Sequence, residues 1–228
     1  TVILFALPVF LVWAFLNTVA LTYQSSAAFP FKTIAGILAT YLLVSFPLQL
    51  IGAITAKNFA QPFDAPCRTN KVPREIPPAV WYKSGPVQVF VAGFLPFSAI
   101  YIELYYIFVS VWGQFLYTPF PIVALVFLIL IMVTSCITIA MVYLLISQEN
   151  HKWWWRAVIC GGATSFFIYG YSIFFFKYES QMGGFLQTCF YFGYMFIACF
   201  ALFLMMGSVG FYSSLVFIKR IYRVIKSD

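Results

Sequence analysis

The sequence has very few charged residues. Only 8% of its 228 residues are charged, whereas a soluble domain typically carries about 25%. Apolar residues make up 63% of the chain and aromatic residues 21%, which is more apolar surface than a soluble globule of this size can bury. The composition therefore excludes an ordinary soluble domain and indicates a protein that is surrounded by lipid.

Residues that carry catalysis or bind metals are also scarce. There is one histidine, His151, and the five cysteines form no Cys-x-x-Cys pair and no Cys/His cluster with metal-ligand spacing. The chain has no Gly-x-Ser-x-Gly elbow, no His-Glu-x-x-His motif and no phosphate-binding glycine loop. The sequence therefore predicts neither an enzyme nor a bound cofactor or metal.

The chain has, instead, long apolar runs. About 20 apolar residues cross the hydrocarbon of a bilayer as one helix, whereas the strands of a membrane barrel alternate apolar and polar residues over about ten positions. Because these runs are continuous, we expect an all-α, polytopic transmembrane helix bundle with about six spans. The expected spans are residues 2–22, 33–56, 87–112, 122–146, 157–176 and 185–218.

The polar segments between the runs predict the domain organisation and the orientation. A six-span region at 1–218 contains a proline-rich cytosolic loop at 57–85, and a basic cytosolic tail follows at 219–228. If the spans alternate and the tail is cytosolic, eleven of the 13 Lys and Arg residues lie in the cytosol, and only Lys32 and Lys177 lie opposite. Cytosolic loops are enriched in Lys and Arg. The net charge of +7 thus reflects orientation and does not predict nucleic-acid binding.

Both chain ends carry further signals. The chain begins inside an apolar run, without an initiator Met or a charged leader, so we expect it to be the C-terminal part of a longer protein. At the other end, Lys226, Asp228 and the terminal carboxylate place one cation beside two anions on a short peptide. A coat subunit could bind that pattern by charge pairing, and the alternative is a basic stop segment that attracts anionic lipid.

Glu103 is the only ionisable residue deep within an expected span. A charge at that depth costs roughly a few kcal/mol or more, so such residues usually face the bundle interior or water. One interpretation is a proton or ion site, or a contact for a polar cargo helix. The other is a protonated or hydrogen-bonded Glu that fastens two helices, with Tyr101, Tyr105 and Tyr106 as local partners. The sequence leaves both interpretations open.

Prolines and small residues also occur within the runs. Pro8, Pro47 and Pro96 each remove a backbone donor and are expected to kink their helices. Broken helices build some transporter sites, although proline is common in membrane spans generally. Small residues let helices approach closely, and those at 161–165 and 207–210 predict tight packing within this bundle.

Four strings of the chain are distinctive when taken together. They are PFDAPCRTNKVPREIP at 62–77, GFLPF at 93–97 with IEL at 102–104, WWWR at 153–156, and the ending FIKRIY to KSD at 217–228. Together these strings resemble one family, the nonaspanins or transmembrane 9 superfamily. The family has a large non-cytosolic N-terminal domain and nine spans. The resemblance therefore implies that this chain holds the last six spans.

The resemblance also implies a function. The family's terminus is a Lys-x-Asp/Glu signal that binds coatomer and keeps the protein in the Golgi, and Lys226 and Asp228 match it. The family is linked to the trafficking of other membrane proteins, including ones with glycine-rich spans. We therefore expect a sorting or cargo-escort protein of Golgi and endosomal membranes that recognises cargo helices. The alternative is a proton- or ion-coupled transporter or channel that uses Glu103.

Overall fold

A computed structural model of the chain describes residues 2–26, 28–60, 75–77, 84–112, 119–179 and 183–224. Within these ranges the chain forms helices and no strand, which confirms the predicted all-α fold. The α-helices are α1 Val2–Thr22, α2 Phe31–Thr40, α3 Phe46–Phe59, α4 Gly85–Ala99, α5 Tyr101–Trp112, α6 Pro119–Ile146, α7 Trp153–Gly162, α8 Thr164–Tyr178 and α9 Phe185–Val224, and a π-helical turn, Tyr41–Ser45, joins α2 to α3.

Five helical segments of the described chain are long and apolar enough to cross a membrane, and α4 with α5 makes a sixth if the two count as one bent span. This agrees with the prediction of about six spans. The third expected span, 87–112, differs from a simple helix because it bends by 67° between α4 and α5. The five single segments are Leu4–Thr22, Phe31–Phe59, Phe120–Ile146, Trp153–Tyr178 and Phe185–Val224.

The helices belong to two compact units. Unit 1 comprises Thr1–Asp64 and Gln181–Ile197, and unit 2 comprises Ala65–Ser180 and Ala198–Asp228. Helix α9 therefore contributes its first turns to unit 1 and the remainder to unit 2.

In unit 1, α1 packs against the start of α9. Leu16 of α1 is buried, and a Cβ added to Gly193 of α9 would lie 2.8 Å from its Cδ1 atom. After α1 ends, the N–H of Phe29 donates a hydrogen bond of 2.9 Å to Oδ1 of Asn17, which fastens the following turn to the helix. The segment from α2 to α3 contains no buried residue, so it exposes apolar side chains along its whole length.

The π-helical turn in unit 1 accommodates Pro47. In a regular α-helix the ring of Pro47 would clash with the carbonyl group of Leu43, and its nitrogen could not donate to that carbonyl. Directly before the proline, the N–H of Phe46 donates to the carbonyl of Tyr41, five residues back, which is the π-helical pattern. The helix thus widens at Pro47, whereas α1 runs through Pro8 as one helix.

In unit 2, α7 and α9 cross at backbone distance through glycines. A Cβ added to Gly161 would lie 2.7 Å from the carbonyl oxygen of Met206, and one added to Gly162 would lie 2.5 Å from the ring of Phe203. A Cβ on Gly210 would lie 3.1 Å from the Cα of Gly161. Only residues without a side chain permit this approach, so the predicted tight packing at these positions is confirmed.

Replacing Gly161 by Ala should lower the thermal unfolding temperature of the detergent-solubilised chain by several degrees. The new methyl group would push against the carbonyl of Met206, and overpacking of this kind costs about 1–3 kcal/mol. The matched control is Gly170→Ala on α8, because nothing lies within 4 Å of an added Cβ there. Equal unfolding temperatures for the two variants would contradict the close crossing.

Candidate functional site

The bend between α4 and α5 is the largest irregularity within the described helices of unit 2. Ile100, which separates the helices, has φ −109° and ψ 7°. Its N–H donates to the carbonyl of Phe97 at 3.2 Å, and its own carbonyl accepts the N–H of Leu104 at 2.8 Å. The side chain of Ile100 is fully buried, so packing holds the bend in the interior of the unit.

Contacts on α4 hold the helix just before the bend. Pro96 is fully buried, and its missing N–H removes the donor that the carbonyl of Ala92 would receive in a regular helix. One turn earlier, a Cβ added to Gly93 would lie 2.7 Å from the ring of Phe167 and 2.9 Å from the backbone of Ala163. The expected break is therefore present, but it falls at Ile100, four residues after the proline.

Glu103 lies in the first turn of α5, directly after the bend, and is half-buried. The N–H groups of a first turn have no partners within the helix, and this end carries a partial positive charge. A carboxylate is favourable at such a position, so the bend explains how a span tolerates Glu103. Its position is therefore the start of a helix and not the middle of one.

The expected tyrosine partners of Glu103 contact other rings instead. Tyr101 meets Tyr171 edge-on at 5.4 Å between ring centroids, and Tyr105 meets Tyr106 edge-on at 5.8 Å. Within the described part of the chain, Glu103 has no hydrogen bond and no ion pair. The structure therefore does not show the contacts between Glu103 and these tyrosines that the sequence suggested.

An open groove of about 450 Å³ lies beside the bend in unit 2. We call it the aromatic groove because six of its seven lining residues carry aromatic rings. The lining residues are Phe97, Tyr101, Phe166, Phe167, Gly170, Tyr171 and Phe174.

The walls of the aromatic groove are rings that support one another. Phe97 packs on Phe167 with centroids 5.9 Å apart, while Phe166 remains 62% exposed at the rim. Between the walls, Gly170 leaves open space, because nothing lies within 4 Å of an added Cβ. The groove is therefore a concave apolar surface lined by rings that pack on one another. Sequence reasoning missed it, although Phe166, Gly170 and Phe174 repeat at helical spacing.

Unit 1 contains a wider apolar cleft, of about 960 Å³, between α1 and the segment from α2 to α3. Its lining includes Phe10 and Trp13 of α1 together with Ile37 and Tyr41. Because the α2–α3 segment has no buried residue, this cleft separates helices that pack loosely. It differs in this respect from the aromatic groove of unit 2, whose lining rings pack on one another.

Cationic side chains gather at one end of unit 2. Trp153, the first residue of α7, stacks on Phe211 of α9 at 5.6 Å, and α9 continues in the same direction past the start of α7 for about 20 Å, to Val224. We call this end the basic end. Its cations are Lys152 and Arg156 near the start of α7 and Lys219, Arg220 and Arg223 near the end of α9.

Some expected site residues lie outside the described part of the chain. These are Lys226 and Asp228 of the tail and most of the proline-rich loop at 57–85. Helix α9 extends to Val224, so the first part of the expected tail, which begins at 219, is helical. Within the described residues, no group of three or more His, Cys, Asp or Glu side chains is placed to hold a metal ion.

Comparisons with a family model and with individual known proteins agree on one family. Residues 1–185 match the family model of Endomembrane protein 70. The chain is 52% identical over 225 residues to Transmembrane 9 superfamily member 4 of Arabidopsis thaliana, covering 99% of this chain and 38% of that protein. It is 49% identical over 228 residues to member 1 of Bos taurus, with 100% and 38% covered. No solved structure matches.

A further relative carries a functional name. The chain is 54% identical over 228 residues to the "Putative phagocytic receptor 1b" of Dictyostelium discoideum, covering 100% of this chain and 39% of that protein. The chain spans less than two fifths of the length of these relatives, and the identity extends along all of it. With the family model and the apolar helices, these matches show that the chain belongs to the transmembrane 9 superfamily.

Proposed function

We propose that this chain is the membrane-embedded part of a sorting or cargo-escort protein of the Golgi–endosome system. It binds helices of other membrane proteins and is retained by coatomer through its C-terminal tail. The aromatic groove is the observation that carries the proposal, because it is an open concave surface on a unit whose helices elsewhere pack at backbone distance. The receptor name of one relative fits a role in handling other molecules at membranes.

A cargo helix fits the chemistry of the aromatic groove. Helices associate in lipid mainly through close van der Waals packing, since burial from lipid gives little hydrophobic gain. Aromatic rings such as those of Phe166 and Phe174 supply a large contact area, and the space above Gly170 admits an approaching backbone. A helix with small residues along one face would make the closest contact.

The proposed orientation has a cytosolic C-terminus and α4–α5 as one bent span. That topology puts eleven of the 13 Lys and Arg residues on the side of the tail. If α4–α5 instead returned to the side that it entered from, the division would be seven against six. The enrichment of cations in cytosolic loops favours the bent span. The cations that would change from the tail side to the opposite side are Lys57, Arg68, Lys71, Arg74 and Lys83.

Replacing Gly170 by Leu should reduce the capture of cargo helices several-fold. The side chain would occupy the space inside the aromatic groove, where its Cβ meets no neighbouring atom within 4 Å. The measurement is quantitative photo-crosslinking in native membranes, followed by identification of the captured membrane proteins. Gly36→Leu on α2 is the matched control, because it also has open space around an added Cβ. Unchanged capture in the Gly170 variant would refute binding in the groove.

Replacing both Lys226 and Asp228 by Ala should release the tagged full-length protein from the Golgi and abolish its coatomer pull-down. The change removes the charge pair that the retrieval signal presents. Arg223→Ala, in the last turn of α9, is the control that removes a nearby cation and leaves the terminal residues intact. If location and pull-down stay the same in the double variant, the tail plays no part in retention.

A proton- or ion-coupled transporter or channel is the second candidate, and the bend is the observation that favours it. Discontinuous helices form ion and substrate sites in several transporter folds. Here a half-buried carboxylate, Glu103, lies in the first turn after such a break, and intramembrane acids commonly mark ion pathways.

Glu103→Gln distinguishes the two candidates in proteoliposomes. A transporter that couples through this carboxylate should show proton or ion flux that the substitution abolishes, while Gln can still interact with the first turn of α5. A cargo escort should show no flux before or after the substitution. Glu179→Gln, just beyond α8, is the control for loss of one acid. Flux that persists in the Glu103 variant would exclude Glu103 as the coupling site.

A further inference from the structure

Arg156 is held in a defined position between α7 and α4. Its Nη1 group donates a hydrogen bond of 2.8 Å to Oε1 of Gln88, and Gln88 is only 4% exposed. The guanidinium also lies against the start of α4, where a Cβ added to Gly85 would be 3.3 Å from its Cζ atom. A guanidinium has five N–H donors, so this arrangement orients the group while using one of them in the bond to Gln88.

The charge of Arg156 is not balanced by this arrangement. Its partner Gln88 is neutral, and no described carboxylate lies within 4.0 Å of the guanidinium. The start of α4 is moreover the positive end of that helix, where a cation is unfavourable. Within the described residues, the guanidinium of Arg156 therefore keeps a positive charge and further N–H donors that an anion from outside the chain can pair with.

The tryptophans next to Arg156 indicate where that anion lies. Trp153 is anchored on Phe211, whereas Trp154 and Trp155 are exposed, Trp155 by 70%. In a membrane protein, exposed tryptophans at the end of a span lie at the level of the lipid headgroups. Arg156 follows them directly, so its guanidinium lies at the depth of the lipid phosphates.

We propose that the start of α7 in unit 2 is a binding site for an anionic phospholipid, with Arg156 contacting the headgroup phosphate. The planar guanidinium matches two phosphate oxygens, and Lys152, four residues earlier, adds attraction for a net negative headgroup. The neighbouring tryptophans and apolar helix surfaces bind the acyl chains, which a free phosphate ion lacks. This site is independent of the aromatic groove and of the tail signal.

The test is a thermal-unfolding titration of the detergent-solubilised chain with dioctanoyl phosphatidylserine. The anionic lipid should raise the unfolding temperature in a saturable manner, because a ligand that binds only the folded state stabilises it. Dioctanoyl phosphatidylcholine, which has no net charge, and inorganic phosphate, which has no acyl chains, should give no comparable shift. An equal shift with phosphatidylcholine or with inorganic phosphate would overturn the proposal of an anionic lipid.

Substitutions then locate the site. Arg156→Gln should raise the apparent Kd for dioctanoyl phosphatidylserine by about tenfold or more, as expected for losing a charge-assisted hydrogen bond, and Arg156→Lys should restore only part of the affinity. Lys177→Gln, which removes a cation at the end of α8, is the matched control and should leave the Kd unchanged. An equal loss in the Arg156 and Lys177 variants would refute a site at Arg156.

A further variant guards against misfolding, because Arg156→Gln also removes the bond to Gln88. Lys152→Gln leaves that bond intact and should still weaken binding several-fold. If this variant binds phosphatidylserine as tightly as the unaltered chain, the start of α7 does not act as an anionic-lipid site.

Discussion

The contact between the backbones of α7 and α9 is the constraint on which unit 2 depends. Gly161 and Gly210 bring the two helices together without intervening side chains. Lipid offers little hydrophobic gain for helix association, so such van der Waals contact supplies much of the stabilisation. The crossing also places Trp153, at the start of α7, on Phe211 of α9.

Three buried hydroxyl groups in unit 2 donate to backbone carbonyls three or four residues earlier in the chain. Thr138 donates to the carbonyl of Thr134 at 2.8 Å, Ser165 to that of Gly162 at 2.7 Å, and Ser214 to that of Gly210 at 2.7 Å. A hydroxyl engaged with its own backbone stabilises packing and is poorly available to a passing solute. At these three positions the hydroxyl groups therefore serve the packing of the helices.

The sequence predicts the helices well and their interruptions poorly. Long apolar runs locate the spans because crossing a bilayer requires about 20 apolar residues. The bend at Ile100 could not be placed, because the local signal, Pro96, lies four residues earlier and the contact of Gly93 with Ala163 joins segments far apart in the chain. The hydrogen bond between Arg156 and Gln88 likewise links positions 68 residues apart.

For the candidate sites, too, the sequence identifies residue types but not the packing around them. Glu103 could be recognised from the sequence as an isolated acid in a span, but its place at the start of α5 depends on the bend. The aromatic groove could not be recognised, since its phenylalanines are unremarkable in a chain that is 21% aromatic. What distinguishes the groove is the empty space above Gly170, and only the packing of α4, α5 and α8 defines that space.

The π-helical turn before Pro47 has a consequence for the angular phase of its span. One π turn contains about one residue more than the α turn that it replaces, and each residue of an α-helix rotates the chain by about 100°. The face that α2 begins is therefore not continued by α3. Deleting a single residue from Tyr41–Ser45 would close the wide turn and return the ring of Pro47 to a backbone carbonyl, so the length of this turn, and not residue identity alone, sets which positions of α3 continue the face of α2.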